Sequence, residues 1–385
     1  MEGRLKVLVL TLSFGSGHVQ AAHTVALEVK RQAPDAEVLV LDALDDCHFL
    51  FRAGYVWPYW AMVRYAPALW DRFFARRTKR MARHTAPQWA FQHGCPRVFK
   101  TIVDFRPDTI VASEVAACEM AAIAKRKGLT RARLVNVITD FEAEPVWVKP
   151  EVDAYAVPDQ HVRDQLCAWG ALAESVAICG IPTDASFYAR HDEKATRVRY
   201  GINGNVPIVL IMGGGVGPTR MDEVAARLCR EGKAVHVIAA TAHDKRVRRR
   251  LARFRPPPSA SLRVLSWTDD IPALMQAASV LVTKPGGLTT AEAAMCALPV
   301  VMFDAIPGPE RRNAARFVES SAGVLTKGPR EAASTVLNLL REASALHRMS
   351  SCAKRLARPD AAAAIAQLAL DDNVPAQELA RRMTA

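Results

Sequence analysis

The most informative part of the sequence reads VTKPGGLTTAEA, from Val282 to Ala293. An apolar strand, predicted from Ser279 to Thr283, breaks at Pro285-Gly286-Gly287, and an alanine-rich helix follows. A helix that begins after a glycine-rich turn presents free backbone N–H groups and the positive end of its dipole, and both favour phosphate. Glu292 could then reach a ribose hydroxyl beside that phosphate. The alternative is an ordinary strand-to-helix turn of an α/β domain.

Length and composition indicate a globular protein with more than one domain. The chain has 385 residues, too many for one compact core, so we expect two domains. Half of the residues are apolar and 23% are charged, and no apolar run reaches the roughly 18 residues of a membrane span. The run from Leu5 to Leu12 is short and predicts a strand rather than a signal peptide. Scattered cysteines without a CxxC pair argue against a zinc ribbon or a disulfide framework and fit a reducing cytoplasm.

The net charge of +12 suits an anionic partner, whether nucleic acid, a membrane surface or a phosphorylated substrate. Two clusters hold much of this charge. The first basic cluster consists of Arg72, Arg76, Arg77, Lys79, Arg80 and Arg83. The second basic cluster consists of Lys245, Arg246, Arg248, Arg249, Arg250, Arg253 and Arg255. A run of charges usually forms a solvated face, and we expect this of the second cluster.

Apolar strands and amphipathic helices alternate nearly throughout, which predicts parallel sheets with helical crossovers. The pattern pauses at Gly180-Ile181-Pro182 and starts again at Pro207 with strand, glycine loop and helix. We therefore expect two α/β units that face each other across a cleft, a first domain over residues 1–180 and a second over 181–385. Both glycine-rich loops follow strands, at the carboxyl ends where open α/β sheets bind ligands.

The segment from Phe49 to about Ala90 lacks the strand pattern and mixes aromatic side chains with the first basic cluster. Rings at the headgroup level and cations for anionic lipids are what an interfacial membrane patch needs. The same mixture can stack nucleobases, and an insertion that packs its own aromatics is a third possibility. We expect membrane contact rather than nucleic-acid binding.

Four further residues could carry chemistry. His18 stands at the start of the first helix, after the glycine loop Ser13–Gly17, where a neutral imidazole could act as general base. Asp140 follows another strand and could orient His18, meet an acceptor hydroxyl, or cap a turn. Glu310 and Asn313 lie about one helical turn apart and could bind sugar hydroxyls, although an acidic first turn is also common at a plain helix start.

Taken in order, these motifs resemble those of the glycosyltransferases that make glycolipids from diacylglycerol, the monogalactosyldiacylglycerol synthases and processive diacylglycerol glucosyltransferases. The resemblance is more distant to the N-acetylglucosaminyltransferase that completes lipid II. It covers most of the chain and depends on six motifs: Gly15–His18 with its preceding strand, Thr139-Asp140-Phe141 with Trp147, Gly180-Ile181-Pro182, Leu210–Gly215, Thr283–Thr289, and Pro307-Gly308 with Glu310 and Asn313.

The resemblance implies a GT-B fold with an N-terminal acceptor domain and a C-terminal domain for UDP-galactose or UDP-glucose. It implies inverting transfer to diacylglycerol, with no bound metal and no cofactor, by a cytoplasmic protein peripherally bound to the inner face of the cell membrane. His18 would be the base. The donor would be held by Gly213, Gly214, Gly287, Leu288, Thr289, Glu292, Glu310 and Asn313. The acceptor and the anionic membrane would be met by Trp57, Trp60, Trp70, Arg76, Arg77 and Arg80.

Two departures from the family pattern concern the substrates. The family usually has Gln after Pro-Gly in the sugar-binding loop, where this chain has Pro309. It also tends to have His shortly after Thr-Asp-Phe, where this chain has Ala143-Glu144-Pro145. Transfer to another lipid or polyprenyl acceptor, and a catalytically silent nucleotide-sugar or lipid-binding protein, are the alternatives.

Overall fold

The computed structural model describes residues 4–202, 204–213, 219–232 and 234–371. The chain divides into two compact units. The first unit comprises the residues up to Asp184, the short piece Pro307–Pro309 and the residues from Asp360 onward. The second unit comprises Ala185–Ile306 and Glu310–Pro359.

The first unit is built on a six-stranded sheet in which every pair of neighbouring strands is parallel. The strand order is β2-β1-β3-β4-β5-β6. Its strands are β1 (Lys6–Thr11), β2 (Glu37–Asp42), β3 (Thr109–Ala112), β4 (Arg133–Val137), β5 (Ala154–Val157) and β6 (Val176–Ile178). Its helices are α1 (Ser16–Gln32), α2 (Phe49–Phe51), α3 (Trp57–Tyr65), α4 (Pro67–Lys79), α5 (Gln88–Gly94), α6 (Pro96–Phe105), α7 (Val115–Arg126) and α8 (Gln160–Ala168).

The second unit repeats the plan with a parallel sheet of order β12-β11-β10-β7-β8-β9. Its strands are β7 (Ile208–Met212), β8 (Val235–Ala240), β9 (Ala260–Leu265), β10 (Val280–Thr283), β11 (Val300–Met302) and β12 (Gly323–Leu325). Its helices are α9 (Glu193–Arg199), α10 (Met221–Glu231), α11 (Lys245–Arg253), α12 (Ile271–Ala277), α13 (Gly287–Met295), α14 (Pro309–Glu319), α15 (Pro329–Arg341) and α16 (Ala343–Leu356).

Strand β1 shows why these segments are apolar on both sides. Leu8 and Leu10 lie in the core between the sheet and helices α5, α6 and α7, whereas Val7 and Val9 lie in the core on the opposite face. A parallel sheet with helices on both faces buries both sets of alternating side chains, so its strands read as continuous apolar runs. The strand predicted within the run from Leu5 to Leu12 is confirmed and spans Lys6–Thr11.

The chain's last described helix, α17 (Ala361–Leu370), belongs to the first unit. Ile365 and Leu368 are fully buried in the same core as Val7 and Val9, and Thr109 Oγ1 donates to the carbonyl of Ala369 at 2.9 Å. The second unit therefore does not run unbroken over residues 181–385, as expected from the sequence, because the residues from Asp360 onward belong to the first unit. The predicted boundary at 180 lies close to Asp184, the end of the first stretch.

The segment between β2 and β3 contains no strand, in agreement with its lack of a strand pattern, and its described elements are helices. It holds α2 to α6 and a π-helical turn at Arg52–Val56. Among the described residues, no helix combines the length and the hydropathy that crossing a bilayer requires. Two strands were missed from the sequence, β6 and β12, each of three residues.

Candidate active site

His18 lies in the first turn of α1, one residue after the glycine loop, and is held from two sides. Its Nδ1 is 3.1 Å from the backbone oxygen of Ser113, which follows β3. The same nitrogen is 3.1 Å from Oγ1 of Thr139, which follows β4. Because β1, β3 and β4 are neighbouring parallel strands, their carboxyl ends bring these three residues together.

The contact with Ser113 determines which imidazole nitrogen can act as a base. A carbonyl oxygen only accepts hydrogen bonds, so the proton of a neutral His18 belongs on Nδ1. The lone pair is then on Nε2, the nitrogen that can take a proton from a substrate hydroxyl. Ser113 is itself fixed, since its Oγ lies 3.0 Å from Oγ1 of Thr11 and 3.1 Å from the carbonyl of His18.

Glu114, next to Ser113, is a buried acidic side chain for which the sequence pattern indicated no role in the site. Its side chain caps α7, accepting from the N–H of Ala116 at 2.6 Å and of Ala117 at 3.2 Å. Burial raises the pKa of Glu114 above its usual value, while a positive charge on His18 and the capping N–H groups act in the opposite direction. A carboxylate that interacts with His18 in this way favours the protonated imidazole that proton abstraction produces.

Asp140, the second predicted catalytic residue, is partly buried at the end of β4, beside Thr139. Thr139 is the residue of this motif that contacts the Nδ1 of His18. Ser113 and Thr139 thus hold His18, and a role of Asp140 in orienting His18 stays a prediction. A contact of Asp140 with an acceptor hydroxyl stays a prediction.

The predicted phosphate-binding turn is formed at the carboxyl end of β10. Gly286 is the N-cap residue of α13, and no side chain caps this helix. The backbone N–H groups of Gly287, Leu288 and Thr289 thus begin a helix whose first donors have no intrahelical acceptor. Gly213 follows β7, where a Cβ would lie 2.9 Å from Thr219 Oγ1. Gly214 lies outside the described residues.

A buried cation stands beside this turn. Lys284 is only 5% exposed, and its Nζ is 3.6 Å from Oε1 of Glu310. The other carboxylate oxygen of Glu310 accepts from the N–H of Ile306 at 2.6 Å. Lys284 is part of the motif from Val282 to Ala293, but no role for it could be predicted, since an exposed lysine and a buried one look the same in a sequence.

Asn313 and Glu292 are both buried. The side-chain amide of Asn313 donates to the carbonyl of Pro285 at 2.9 Å, which ties α14 to the turn before α13. Glu292 lies on α13, one and a half turns beyond Gly287. The geometry thus indicates that Asn313 shapes the donor turn, and direct contacts of these two residues with a donor stay predictions.

The aromatic and basic residues predicted to meet a membrane fall into two groups. Trp57 is 51% exposed, and Arg76 and Arg80 are exposed as well. Trp60 is partly buried against the core. Trp70 is buried, and its Nε1 donates to the carbonyl of Pro307 at 3.0 Å. Arg77 is partly buried in an ion pair with Glu144. Trp70 and Arg77 are therefore not part of the exposed surface.

Aromatic rings of this segment pack against the glycine loop that precedes His18. Phe14, four residues before His18, packs against Tyr55 and Tyr59, with ring centroids 5.5 Å and 5.1 Å apart. The exposed apolar set lies around them and consists of Phe49, Leu50, Trp57, Tyr65, Leu69, Phe73 and Trp89. The segment thus serves partly as core, which was one of the open alternatives.

Comparisons with known proteins agree with this description. Residues 18–183 match the family model described as monogalactosyldiacylglycerol (MGDG) synthase. The chain is 27% identical over 371 residues to proteins named processive diacylglycerol beta-glucosyltransferase from Bacillus cereus and Bacillus mycoides, which covers 96% of this chain and 94% of each relative.

Solved structures show the same fold at low identity. MurG of Acinetobacter baumannii gives a TM-score of 0.63 at 14% identity, covering 95% of this chain and 99% of that one. Anabaena Alr3699/HepE, solved with UDP and glucose, gives 0.56 at 17% identity, covering 99% and 98%. The fold class is thus the predicted GT-B type of two parallel α/β units. The predicted resemblance is confirmed as well: the chain is similar, along almost its whole length, to the diacylglycerol glycosyltransferases.

Proposed function

We propose that this chain is an inverting glycosyltransferase that moves glucose or galactose from a UDP-sugar to the free hydroxyl of diacylglycerol. The observation that carries the proposal is the contact of His18 Nδ1 with the Ser113 carbonyl, which leaves Nε2 as the base. The names of the relatives and the family model support a diacylglycerol acceptor. UDP-glucose bound to a protein of the same fold supports the donor class.

In the proposed reaction, Nε2 of His18 takes the proton of the acceptor hydroxyl as its oxygen attacks the anomeric carbon. The bond from that carbon to the β-phosphate oxygen breaks, and UDP leaves with the electron pair. A single displacement inverts the anomeric configuration. The proton on His18 then passes to solvent, which restores the base for the next turnover.

The departing diphosphate gains negative charge, and the second unit offers two groups that stabilise it. The N-terminus of α13 presents the N–H groups of Gly287, Leu288 and Thr289 with the positive end of the helix dipole. Lys284 supplies a positive charge from a site shielded from water, where a charge acts more strongly than at the surface. Glu292 would bind the ribose, and Glu310 the hexose.

We also propose that the enzyme meets its acceptor at the inner face of the cell membrane, bound peripherally. The exposed apolar set supplies rings for the headgroup region. Exposed cations of the first basic cluster, Arg72, Arg76, Lys79, Arg80 and Arg83, supply attraction to anionic lipids. Trp70 is left out of this surface because it is buried, and Arg77 because it is partly buried in an ion pair with Glu144.

The test is incubation of the purified protein with diacylglycerol and either UDP-glucose or UDP-galactose. The proposal predicts UDP release that requires diacylglycerol and a lipid product heavier by one hexose. UDP-sugar binding without transfer would favour the silent binding protein. Transfer to a polyprenyl acceptor, with none to diacylglycerol, would favour the other enzymatic alternative.

A further inference from the structure

Arg77 and Glu144 form an ion pair with two parallel hydrogen bonds inside the first unit. Nε of Arg77 donates to Oε2 of Glu144 at 2.6 Å, and Nη2 donates to Oε1. Only 16% and 8% of the two side chains are exposed. Two bonds between a planar guanidinium and a planar carboxylate fix direction as well as distance. The pair therefore sets how the backbone of α4 lies against the segment that carries Glu144.

That segment, the post-β4 loop of residues 138–153, also carries a contact of the base. Thr139 of this loop touches Nδ1 of His18, five residues before Glu144. On its other side the loop is held by Gln165 of α8, whose Oε1 accepts from the N–H of Ala143 at 3.0 Å and whose Nε2 donates to Glu142 at 2.7 Å. The loop thus links α4 to the environment of His18.

A second buried link fastens the chain just beyond α4 to the same loop. Lys149 donates from Nζ to the carbonyl of Arg83 at 2.8 Å. Its charge is balanced by Glu119 of α7 at 2.5 Å, and both side chains are at most 2% exposed. Two separate contacts therefore hold α4 and the residues after it against the post-β4 loop.

The exposed side of α4 carries apolar and basic side chains. Leu69 and Phe73 are 55% and 47% exposed, and Arg72 and Arg76 are exposed between and beside them. One short helix thus carries a surface suited to lipid and, through Arg77, a rigid connection to the loop that contacts the base. The guanidinium of Arg77 lies 5.8 Å from the centre of the exposed Phe73 ring. Arg77 therefore contacts both the exposed side of α4 and, through Glu144, the post-β4 loop.

We propose that the Arg77–Glu144 pair is a positioning pair for the acceptor, which sets α4 against the post-β4 loop so that a lipid held at α4 presents its hydroxyl to His18. This inference rests on the proposed function, because it concerns the acceptor half of the same reaction. Arg77 and Glu144 act through the loop and the helix and need not touch the reacting atoms. The pair therefore governs use of the lipid acceptor and not binding of the UDP-sugar.

The test compares variants of the pair with a matched control in a detergent-dispersed diacylglycerol assay. The first variant, Arg77→Lys, keeps the positive charge but loses the planar guanidinium that makes two parallel hydrogen bonds. The second, Glu144→Gln, keeps the shape of the side chain but loses its charge. The third is the double variant Arg77→Leu with Glu144→Leu. The control is Arg126→Lys, which alters an Arg–Glu pair between α7 and Glu151 of the same loop, where Nε and Oε1 are 2.6 Å apart. Values of kcat and KM are measured for both substrates.

Each pair variant should lower kcat/KM for diacylglycerol by about tenfold or more, since small misplacements of a reactant reduce rates strongly. The KM for the UDP-sugar should change by no more than about twofold, because the pair is not proposed to contribute to donor binding. Arg126→Lys should leave both values near those of the unchanged protein.

The double leucine variant separates positioning from stability. Replacing both partners leaves no unpaired buried charge, so this variant is expected to fold. The inference predicts that it melts like the unchanged protein but still uses diacylglycerol poorly. Normal kcat/KM for diacylglycerol in this variant, or an equal loss for donor and acceptor, would overturn the inference alone. An unchanged protein without any transfer to diacylglycerol would instead overturn the proposed function.

Discussion

The Nδ1 of His18 lies 3.1 Å from the backbone oxygen of Ser113. The contact joins the first turn of α1 to the end of β3, two elements more than 90 residues apart in sequence. It assigns the imidazole proton to Nδ1 and the basic lone pair to Nε2. The proposed chemistry of the first unit follows from this one relationship.

His18→Ala should lower kcat by about 10²–10⁴, the usual contribution of a general base. UDP affinity should be unchanged, because the residues that we propose to bind the donor belong to the second unit. The control is His23→Ala, an exposed histidine further along α1, which should keep full activity. Steady-state kinetics and calorimetry with UDP give the two readouts. Normal turnover in His18→Ala would remove this residue from the mechanism.

Glu114→Gln should retain the α7 cap, because an amide oxygen can accept the same backbone N–H groups. It removes the negative charge that favours a protonated His18. The imidazolium formed during catalysis is then less stable, so kcat falls. Steady-state kinetics measure the change, and a normal kcat in Glu114→Gln would show that Glu114 is only a helix cap.

Much of this site could be predicted from sequence because its signals are local. The strand–glycine–helix pattern gave β1, α1 and the position of His18, and likewise β10 and α13. The role of Ser113 and Glu114 could not be predicted, because it depends on β1 pairing with β3, which puts Leu10 opposite Ala112. Composition likewise marked Trp70 and Arg77 as part of an aromatic and basic cluster. Which of its side chains are buried depends on how α4 packs.

Glu292→Ala should weaken UDP binding by about 1.5–3 kcal/mol, the range for a hydrogen bond to a charged group. The physical reason is the loss of the carboxylate that we expect to accept from the ribose hydroxyls. Calorimetry with UDP measures the change, with Glu319→Ala as the control, since Glu319 is an exposed residue paired with Arg312. Unchanged affinity in a folded Glu292→Ala protein would mean that the ribose is held elsewhere.

Replacing Arg72, Arg76, Lys79, Arg80 and Arg83 by Gln should reduce binding to anionic liposomes and activity on them. Each cation near an anionic surface contributes on the order of 1 kcal/mol, and salt screens it. The exposed rings add a part that salt does not remove, so binding by the unchanged protein should fall but persist at high salt. Cosedimentation with liposomes measures both effects.

The matched control for the membrane prediction changes the same number of exposed cations in the second basic cluster: Lys245, Arg246, Arg249, Arg253 and Arg255. This control should bind liposomes more strongly than the first variant. Activity on detergent-dispersed diacylglycerol should change little in either protein. Equal losses on liposomes and in detergent for the first variant would show that its cations serve the fold or the active site instead.

The central claim is transfer of a hexose to diacylglycerol with His18 as the base. Its most direct measurement is mass spectrometry of the lipid after incubation of the protein with diacylglycerol liposomes and UDP-glucose or UDP-galactose, with His18→Ala in parallel. The account predicts a hexosyl-diacylglycerol of inverted anomeric configuration with at least one donor, and almost none from the variant. No glycolipid with either donor, or the same yield from His18→Ala, would contradict it.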